Sequence, residues 1–112
     1  MTFINVFAVE PERQALLVKL LLDATEHVMS KQPGFISARL HRSLDGTHVV
    51  NYARWRDRAA FEAIFSNPDA VRHMRAIREI AYGDGHVYDI VAHHVAAQVS
   101  GDLDRTSGVI RR

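Results

Sequence analysis

The stretch Thr47–Trp55, THVVNYARW, decides the fold because it follows an Asp45-Gly46 turn signal and alternates like a β-strand. Successive side chains of a strand point to opposite faces, so Asn51 and Trp55 share one face. Asparagine is depleted in strands, and an unpaired buried amide costs about 1–3 kcal/mol. The pattern therefore predicts either the wall of a pocket or a core in which Trp55 is a packing anchor and Asn51 bonds a neighbouring backbone.

Composition limits the classes of protein to which the chain can belong. Its 112 residues suit one domain, and 47% hydrophobic and 24% charged residues are ordinary for a soluble globular protein. A net charge of +1 with dispersed Lys and Arg provides no electrostatic footprint for nucleic acid or for a membrane surface. Cysteine is absent, which excludes disulfides and thiolate chemistry. Because no signal peptide or membrane span is recognisable, we expect a cytoplasmic protein.

Outward from this strand, hydrophobic periodicity and turn residues predict two helical regions and three further strands. Gly83 is predicted to stop the last helix. The predicted strands are Thr2–Val9, Phe35–Ser43 and Gly85–Val95, and the predicted helices are about 11–31, 58–65 and about 68–81.

The order strand, helix, strand, strand, helices, strand predicts an α+β fold of the ferredoxin-like type. Right-handed crossovers place the helices on one face of a four-stranded antiparallel sheet, with the first and third strands adjacent in its centre. The domain is predicted to span residues 1–95. Residues 96–112 are predicted to be a tail that is disordered or packed on a partner subunit.

The sheet face opposite the helices is also predicted to be apolar. Ile4 and Val6 on the first strand and Val50 and Tyr52 on the third strand point to it. An uncovered apolar face of this kind is a predicted interface. Two copies packed sheet against sheet would cover it, which predicts a homodimer with two-fold symmetry.

The helix-covered face brings the polar residues together. Asn5 and Asn51 lie on the adjacent central strands, and Asn5 shares its face with Phe3 and Phe7. Together with Trp55, the two amides provide polar donors among apolar side chains, which is the usual composition of a small-molecule site. The alternative is a buried structural pair in which the two facing amides satisfy each other.

The segment PGFISARLHRSLDGTHVVNYARW, with TFINVF before it, resembles the antibiotic biosynthesis monooxygenase family, whose members are dimeric α+β barrels. The likeness spans most of residues 2–95. It is greatest to the cofactor-free oxygenases that convert anthrone-type polyketides to quinones. Those enzymes carry an Asn on the first strand and an N-x-x-x-W pattern on the third, matched here by Asn5, Asn51 and Trp55.

The resemblance implies an aromatic polyketide-like substrate, dioxygen as the oxidant, and no cofactor. It implies catalytic roles for the two asparagines and the tryptophan, with Arg75 matching an Arg on the last helix of some relatives. A Tyr of some relatives is Phe61 here, so roles of that hydroxyl are not implied. The predicted substrate-binding residues are Phe7, Phe61, Phe65, His73 and Arg75.

The residues fit this chemistry in most respects. Oxidation by dioxygen without a cofactor needs a substrate that becomes a carbanion or phenolate, which amide and indole N–H groups can stabilise. A fixed positive charge from Arg75 would lower the pKa of the substrate. Helical geometry places Arg78 nearer than Arg75 to the apolar centre of the last helix, whereas family position selects Arg75, which is retained. No general base is obvious.

Histidine is the natural candidate for a base, and the chain has seven. Only His73 falls within the apolar arc of the last helix, where it is either a proton acceptor or a satisfied core histidine. His86 and Tyr88 share a strand face without a carboxylate at ligand spacing, so no metal site is predicted. The remaining histidines are predicted to be solvated: His27, His41, His48, His93 and His94.

Two other functions stay open. Haem-degrading relatives share the fold and the first-strand Asn, but their helical Trp would fall near Ile64, and His73 is the one available axial ligand. A non-catalytic small-molecule-binding dimer would use the same pocket without chemistry. Replacement of Trp55 by Phe separates an oxygenase, which should lose turnover, from a binding module, which should lose only affinity.

Overall fold

The computed structural model describes residues 1–97 of the chain. The predicted tail, residues 96–112, lies outside the described residues from position 98 onward. The strands are β1 (Thr2–Val9), β2 (Phe35–Arg42), β3 (His48–Trp55) and β4 (Ala81–Tyr88), and the α-helices are α1 (Gln14–His27), α2 (Arg58–Glu62) and α3 (Pro68–Arg78). Three short 3₁₀ turns, Pro11–Arg13, Met29–Lys31 and Ala63–Ser66, adjoin the helices.

The sheet has four strands in the order β2-β3-β1-β4, and every neighbouring pair is antiparallel. β1 and β3 are central, which confirms the predicted ferredoxin-like plan. In the register between them, Asn5 is paired with Asn51. The two asparagines therefore occupy directly opposite positions on neighbouring strands, and their side chains leave from the same face.

The helices cover one face of the sheet through a narrow apolar stripe. On α1, Leu17, Leu21 and Ala24 are buried, and their spacing of three to four residues places them on one side of the helix. Leu17 and Val49 are fully buried, the latter on the helix-covered face of β3. Burial of this stripe against the alternate residues of β1 and β3 forms the core that holds the helices over the sheet.

The two predicted helix N-caps are confirmed. The Ala60 N–H donates to Asp57 Oδ1 at 2.8 Å, and this bond, followed by that from Arg56, lowers the pKa of the Asp57 carboxyl. Asn67 Oδ1 accepts from the N–H groups of Asp69 and Ala70 at 2.9 and 3.2 Å. Each cap satisfies backbone donors that have no partner within the first turn of a helix.

The predicted boundaries differ at the first helix and at the hairpin. The first helix was predicted to be continuous, but its ends are 3₁₀ turns and α1 ends where Val28 adopts φ −128° and ψ −63°. The two-residue hairpin turn at Asp45-Gly46 is instead a loop between Arg42 and His48. The Ser43 and Asp45 side chains bond the backbone N–H groups of this loop, which makes the longer connection stable.

The prediction of the last strand was wrong. The strand begins at Ala81 rather than at Gly85, ends at Tyr88, and contains Gly83, which was expected to stop the helix. Pairing with β1 sets these limits, because β4 follows β1 continuously from Val9↔Ala81 to Thr2↔Tyr88. The hydrogen bonds of that ladder outweigh the low strand propensity of glycine.

The face opposite the helices carries the apolar residues that were expected there. Ile4, Val50 and Tyr52 are half-buried and Val6 is 39% exposed in the single chain. Tyr82 on β4 extends this surface and is 74% exposed. The face is therefore available to a second copy, and the homodimer remains a prediction. Separately, no helix within residues 1–97 combines the length and hydropathy needed to cross a membrane.

The Asp45 loop predicts an acid-dependent loss of stability. Hydrogen bonds from the Thr47 hydroxyl, the Thr47 N–H and the Ser43 hydroxyl lower the pKa of Asp45 from 3.8 to about 2. Because the folded-state pKa is depressed, the ionised carboxylate stabilises the fold above pH 4, and this contribution is lost as the pH falls from about 4 to about 2.

We expect Asp45→Asn to show a smaller fall in melting temperature than the wild type over this pH range. The measurement is thermal unfolding at several pH values between 5 and 2. Identical pH dependence in both proteins would show that the loop carboxylate contributes nothing in the folded state.

Candidate active site

A cavity of about 1040 Å³ lies between the helices and the helix-covered face of the sheet. This volume is at the upper end of the range for small-molecule sites, and residues from all four strands, the three α-helices and the three 3₁₀ turns line it. Most of the lining is aliphatic or aromatic. Its polar and charged members are Asn5, Glu10, Arg13, Thr25, Asn51 and Arg78, together with the indole of Trp55, whereas Tyr82 borders the cavity from the start of β4 with its ring on the other sheet face.

The two asparagines form the polar centre of the cavity wall. Both line the cavity, and Oδ1 of each is buried without a hydrogen-bond partner among the described residues. The pair therefore does not satisfy itself as a closed structural unit, even though Asn5 and Asn51 face each other across β1 and β3. An unsatisfied buried acceptor costs about 1–3 kcal/mol. Each amide also has an NH₂ group that can donate.

Aromatic rings form a further part of the cavity wall. The Phe61 ring contacts three of the others: its centroid lies 4.6 Å from that of Phe3, 6.2 Å from that of Trp55 and 5.5 Å from that of Phe65. Trp55 also meets Phe35 edge to face, with 5.3 Å between centroids. Trp55 is only 2% exposed and lines the cavity. This packing fixes the orientation of the indole within the cavity wall, four residues along β3 from Asn51.

The structure brings together six of the eight residues predicted for the site. Asn5, Asn51, Trp55, Phe7, Phe61 and Phe65 line the cavity. The other two, Arg75 and His73, are not among the lining residues, and Nδ1 of His73 lies 2.9 Å from the Asp69 carbonyl oxygen in its own helix. The arginine of α3 that lines the cavity is Arg78, in agreement with the helical geometry rather than with the family position.

Charged groups of the lining come from two neighbouring parts of the fold. Glu10 and Arg13 follow the end of β1, and Arg78 ends α3. Arg13 Nε lies 4.0 Å from Glu10 Oε1, and both side chains are more than half exposed, so the pair interacts weakly. With two arginines and one carboxylate, the charged residues of the lining carry a net positive charge, which favours an anionic ligand.

One lining residue was missed because it has no side chain. Gly83 lies on β4 opposite Phe7, and the sequence predicted it to stop the last helix. The signal that would have found it is the alternation of Ala81, Gly83, Gly85 and Val87 on one parity of the strand. It becomes visible only when β4 is aligned with β1.

One group of side chains among residues 1–97 has metal-ligand spacing, namely Asp23, Glu26 and His27 on α1, whose ligand atoms lie within 4.8 Å of one another. Lys19 Nζ lies 3.1 Å from Asp23 Oδ2 and already neutralises one carboxylate. None of the three lines the cavity. Within the described part of the chain, no histidine lines the cavity either.

Comparison with known proteins identifies related sequences. The profile of the family described as antibiotic biosynthesis monooxygenase matches residues 1–77. Tetracenomycin-F1 monooxygenase of Streptomyces glaucescens is 42% identical over 80 residues, which cover 71% of each chain. The residues that the family profile matches include Asn5, Asn51 and Trp55, and the match ends before β4 begins.

Solved structures share the fold over most of the described residues. A mutant of SnoaB, a cofactor-independent oxygenase from Streptomyces nogalater, has a TM-score of 0.75 and 25% identity, covering 82% of this chain and 93% of its own. A monooxygenase from the gene ActVA-Orf6 of Streptomyces coelicolor, in complex with the ligand nanaomycin D, has a TM-score of 0.68 and 27% identity, covering 83% and 90%. The ferredoxin-like architecture is therefore common to all three proteins.

Proposed function

We infer that this chain, which belongs to the antibiotic biosynthesis monooxygenase family, oxidises an aromatic polyketide-like anthrone or phenol with dioxygen to a quinone or hydroxylated product, without a cofactor. As a monooxygenase it is an oxidoreductase. The observation that carries the proposal is the pair of buried, unpartnered Oδ1 atoms of Asn5 and Asn51 in the wall of an aromatic cavity. The relatives named above support a polyketide substrate.

The shape and chemistry of the cavity suit a flat polycyclic substrate. About 1040 Å³ is sufficient for a fused aromatic ring system, and the rings of Phe3, Phe61 and Trp55 provide a continuous apolar wall. A phenolate or enolate oxygen beside the asparagines would accept hydrogen bonds from the amide NH₂ groups.

The proposed reaction balances without a cofactor. Loss of a proton from an anthrone CH₂ group, or from its tautomeric phenol, leaves an electron-rich carbanion that reduces dioxygen and combines with it to form a peroxide. Loss of water from the peroxide then leaves a carbonyl. The carbon has lost two hydrogen atoms and gained one oxygen atom, and the second oxygen atom leaves in water. The substrate supplies all the electrons.

The residues of the chain would favour the anionic form of the substrate. The amide N–H groups of Asn5 and Asn51 and the Trp55 indole N–H are neutral donors carried by residues of the cavity wall, and they can stabilise a developing oxyanion. We assign to Arg78 the positive charge that the resemblance suggested for Arg75, because Arg78 lines the cavity. That charge lowers the pKa of the substrate and allows its proton to pass to solvent. No role as base is assigned to His73.

The decisive experiment is oxygen uptake by the metal-stripped protein with polyketide anthrones and simpler phenols. We expect one molecule of dioxygen to be consumed per anthrone. With ¹⁸O₂, one labelled atom should appear in the product and the other in water. No uptake with any substrate, although the substrate quenches the fluorescence of Trp55, would indicate a binding module; a Soret band with added hemin that supports turnover would indicate haem chemistry.

Trp55→Phe tests the indole N–H without removing the aromatic wall. We expect kcat for oxygen uptake to fall about 10- to 100-fold, because one hydrogen bond to a developing anion is lost, while the ring still packs against Phe35 and Phe61. Anaerobic isothermal titration calorimetry should show affinity within about threefold of the wild type. A loss of affinity with kcat unchanged would favour the binding module.

The homodimer is proposed on the apolar sheet face opposite the cavity. The half-buried Ile4 and Tyr52 and the exposed Val6 and Tyr82 would be covered by the same face of a second copy. Val6→Glu places a charge in the centre of this face and should convert a dimer to a monomer in sedimentation velocity. A wild-type monomer at all concentrations would contradict the proposed dimer and leave the cavity unaffected.

A further inference from the structure

Strand β4 contains two glycines on the face that covers the cavity. Gly83 is paired with Phe7 and Gly85 with Asn5 on β1. The left-handed glycines of the described residues are Gly34 and Gly46, so the backbone conformation of β4 does not require glycine. Glycine also weakens a strand, and in a strand interior it often marks a close approach of another group.

The close approach is made by the Asn5 amide and by its two aromatic neighbours. A Cβ atom at position 83 would lie 3.0 Å from Asn5 Oδ1 and 2.9 Å from Phe7 Cε1. A Cβ atom at position 85 would lie 3.2 Å from Asn5 Cγ and 2.5 Å from Phe3 Cζ. The Asn5 amide therefore lies across β4, in space that any other residue at these positions would fill.

We propose that Gly83 is a positioning residue for Asn5: its missing side chain lets the amide lie across β4 and present its free groups to the cavity. The inference rests on the proposed oxygenase function of the cavity. Gly85 has a parallel role in which Phe3 Cζ, at 2.5 Å, is clearly the closest contact, so its substitution acts first on the aromatic wall. At Gly83 the Phe7 ring and Asn5 Oδ1 are almost equally close, at 2.9 and 3.0 Å, so a substitution there acts on the amide as well as on the ring.

Gly83→Ala is expected to lower kcat about 10- to 100-fold. One methyl group at 3.0 Å must displace the amide oxygen or the Phe7 ring, and small displacements of a positioned group cost rate far more than affinity. Trp55 is the only tryptophan of the chain, so its fluorescence reports anaerobic binding of a hydroxyanthrone directly. The dissociation constant should change by less than about threefold.

Gly34→Ala is the matched control. A Cβ at Gly34 would lie 2.5 Å from Ala60 Cβ, and φ is +86°, so the substitution is strained, but neither Gly34 nor the residues it would meet, Ala60 and Arg56, line the cavity. We expect a lower melting temperature with kcat unchanged. Loss of kcat only in Gly83→Ala would then reflect the position of the amide rather than a general loss of stability.

A double-mutant cycle and a spectrum decide whether the effect passes through Asn5. In an Asn5→Ala background, adding Gly83→Ala should leave kcat unchanged, because the displaced group is already gone. In ¹⁵N-labelled protein, Gly83→Ala should shift the side-chain NH₂ resonances of Asn5 and leave those of Asn67 in place. The proposal would be overturned if Gly83→Ala lowered kcat by the same factor in the wild-type and Asn5→Ala backgrounds. Unshifted Asn5 side-chain resonances in Gly83→Ala would overturn it as well.

These readouts separate the positioning role from the oxygenase function. If the wild type consumes no oxygen with any anthrone, the proposed function fails, while the Asn5 resonances still decide whether Gly83 positions the amide. If the wild type is active and Asn5→Ala lowers kcat to a measurable residual value, normal turnover by Gly83→Ala overturns the positioning role alone.

Discussion

Replacement of Asn51 by leucine is expected to lower kcat for oxygen uptake by about 10²- to 10³-fold, the usual cost of removing one donor from an oxyanion site. The free energy of unfolding should stay the same or rise. Asn51 Oδ1 is buried without a partner, so an apolar side chain of similar size removes an unsatisfied polar atom from the protein interior. Loss of activity with gain of stability is the signature of a side chain kept for function.

The matched control is Asn67→Leu, the same substitution at a satisfied asparagine. The Asn67 side chain caps α3 through the N–H groups of Asp69 and Ala70, so its loss should cost about 1 kcal/mol of stability and leave kcat unchanged. Oxygen electrode kinetics and urea unfolding measure both quantities. If Asn51→Leu destabilises the protein as strongly as Asn67→Leu does while it keeps its turnover, the amide of Asn51 is structural.

Truncation of Leu17 to alanine should produce the largest loss of stability. Leu17 is fully buried on α1 among Phe7, Val9, Leu21 and Val49. Removing its branched end loses the transfer free energy of three carbon atoms and leaves a cavity, which together cost about 2–5 kcal/mol. That is a large fraction of the 5–15 kcal/mol typical for a domain. Urea unfolding measures the loss as a lower midpoint with an unchanged slope.

The neighbouring Leu16 provides the control for this prediction. It is 47% exposed on the same helix, so Leu16→Ala should change stability by less than about 0.5 kcal/mol. Because Leu17 does not line the cavity, Leu17→Ala should retain substrate affinity at temperatures where it is folded. Equal destabilisation by the two substitutions would contradict the packing of α1 on the sheet.

Local patterns determined most of the fold and part of the site. The alternation of side chains along a strand placed Asn51 and Trp55 on one face. This alternation depends only on the strand itself, so it can be predicted without knowledge of the neighbouring strands. The same argument placed Asn5 on β1, and the order of elements predicted that the two strands are neighbours, as the sheet shows. The caps at Asp57 and Asn67 were readable because a cap contacts backbone within three residues.

Only the tertiary structure decided the features that depend on distant residues. The limits of β4 follow from its ladder with β1, more than seventy residues earlier in the chain, and no local signal carries that register. The choice of Arg78 over Arg75 depends on which side of α3 faces the cavity once the helix is docked. Nor could any local pattern show that the two asparagines leave each other unsatisfied, because hydrogen bonds across a sheet are settled by packing on both sides.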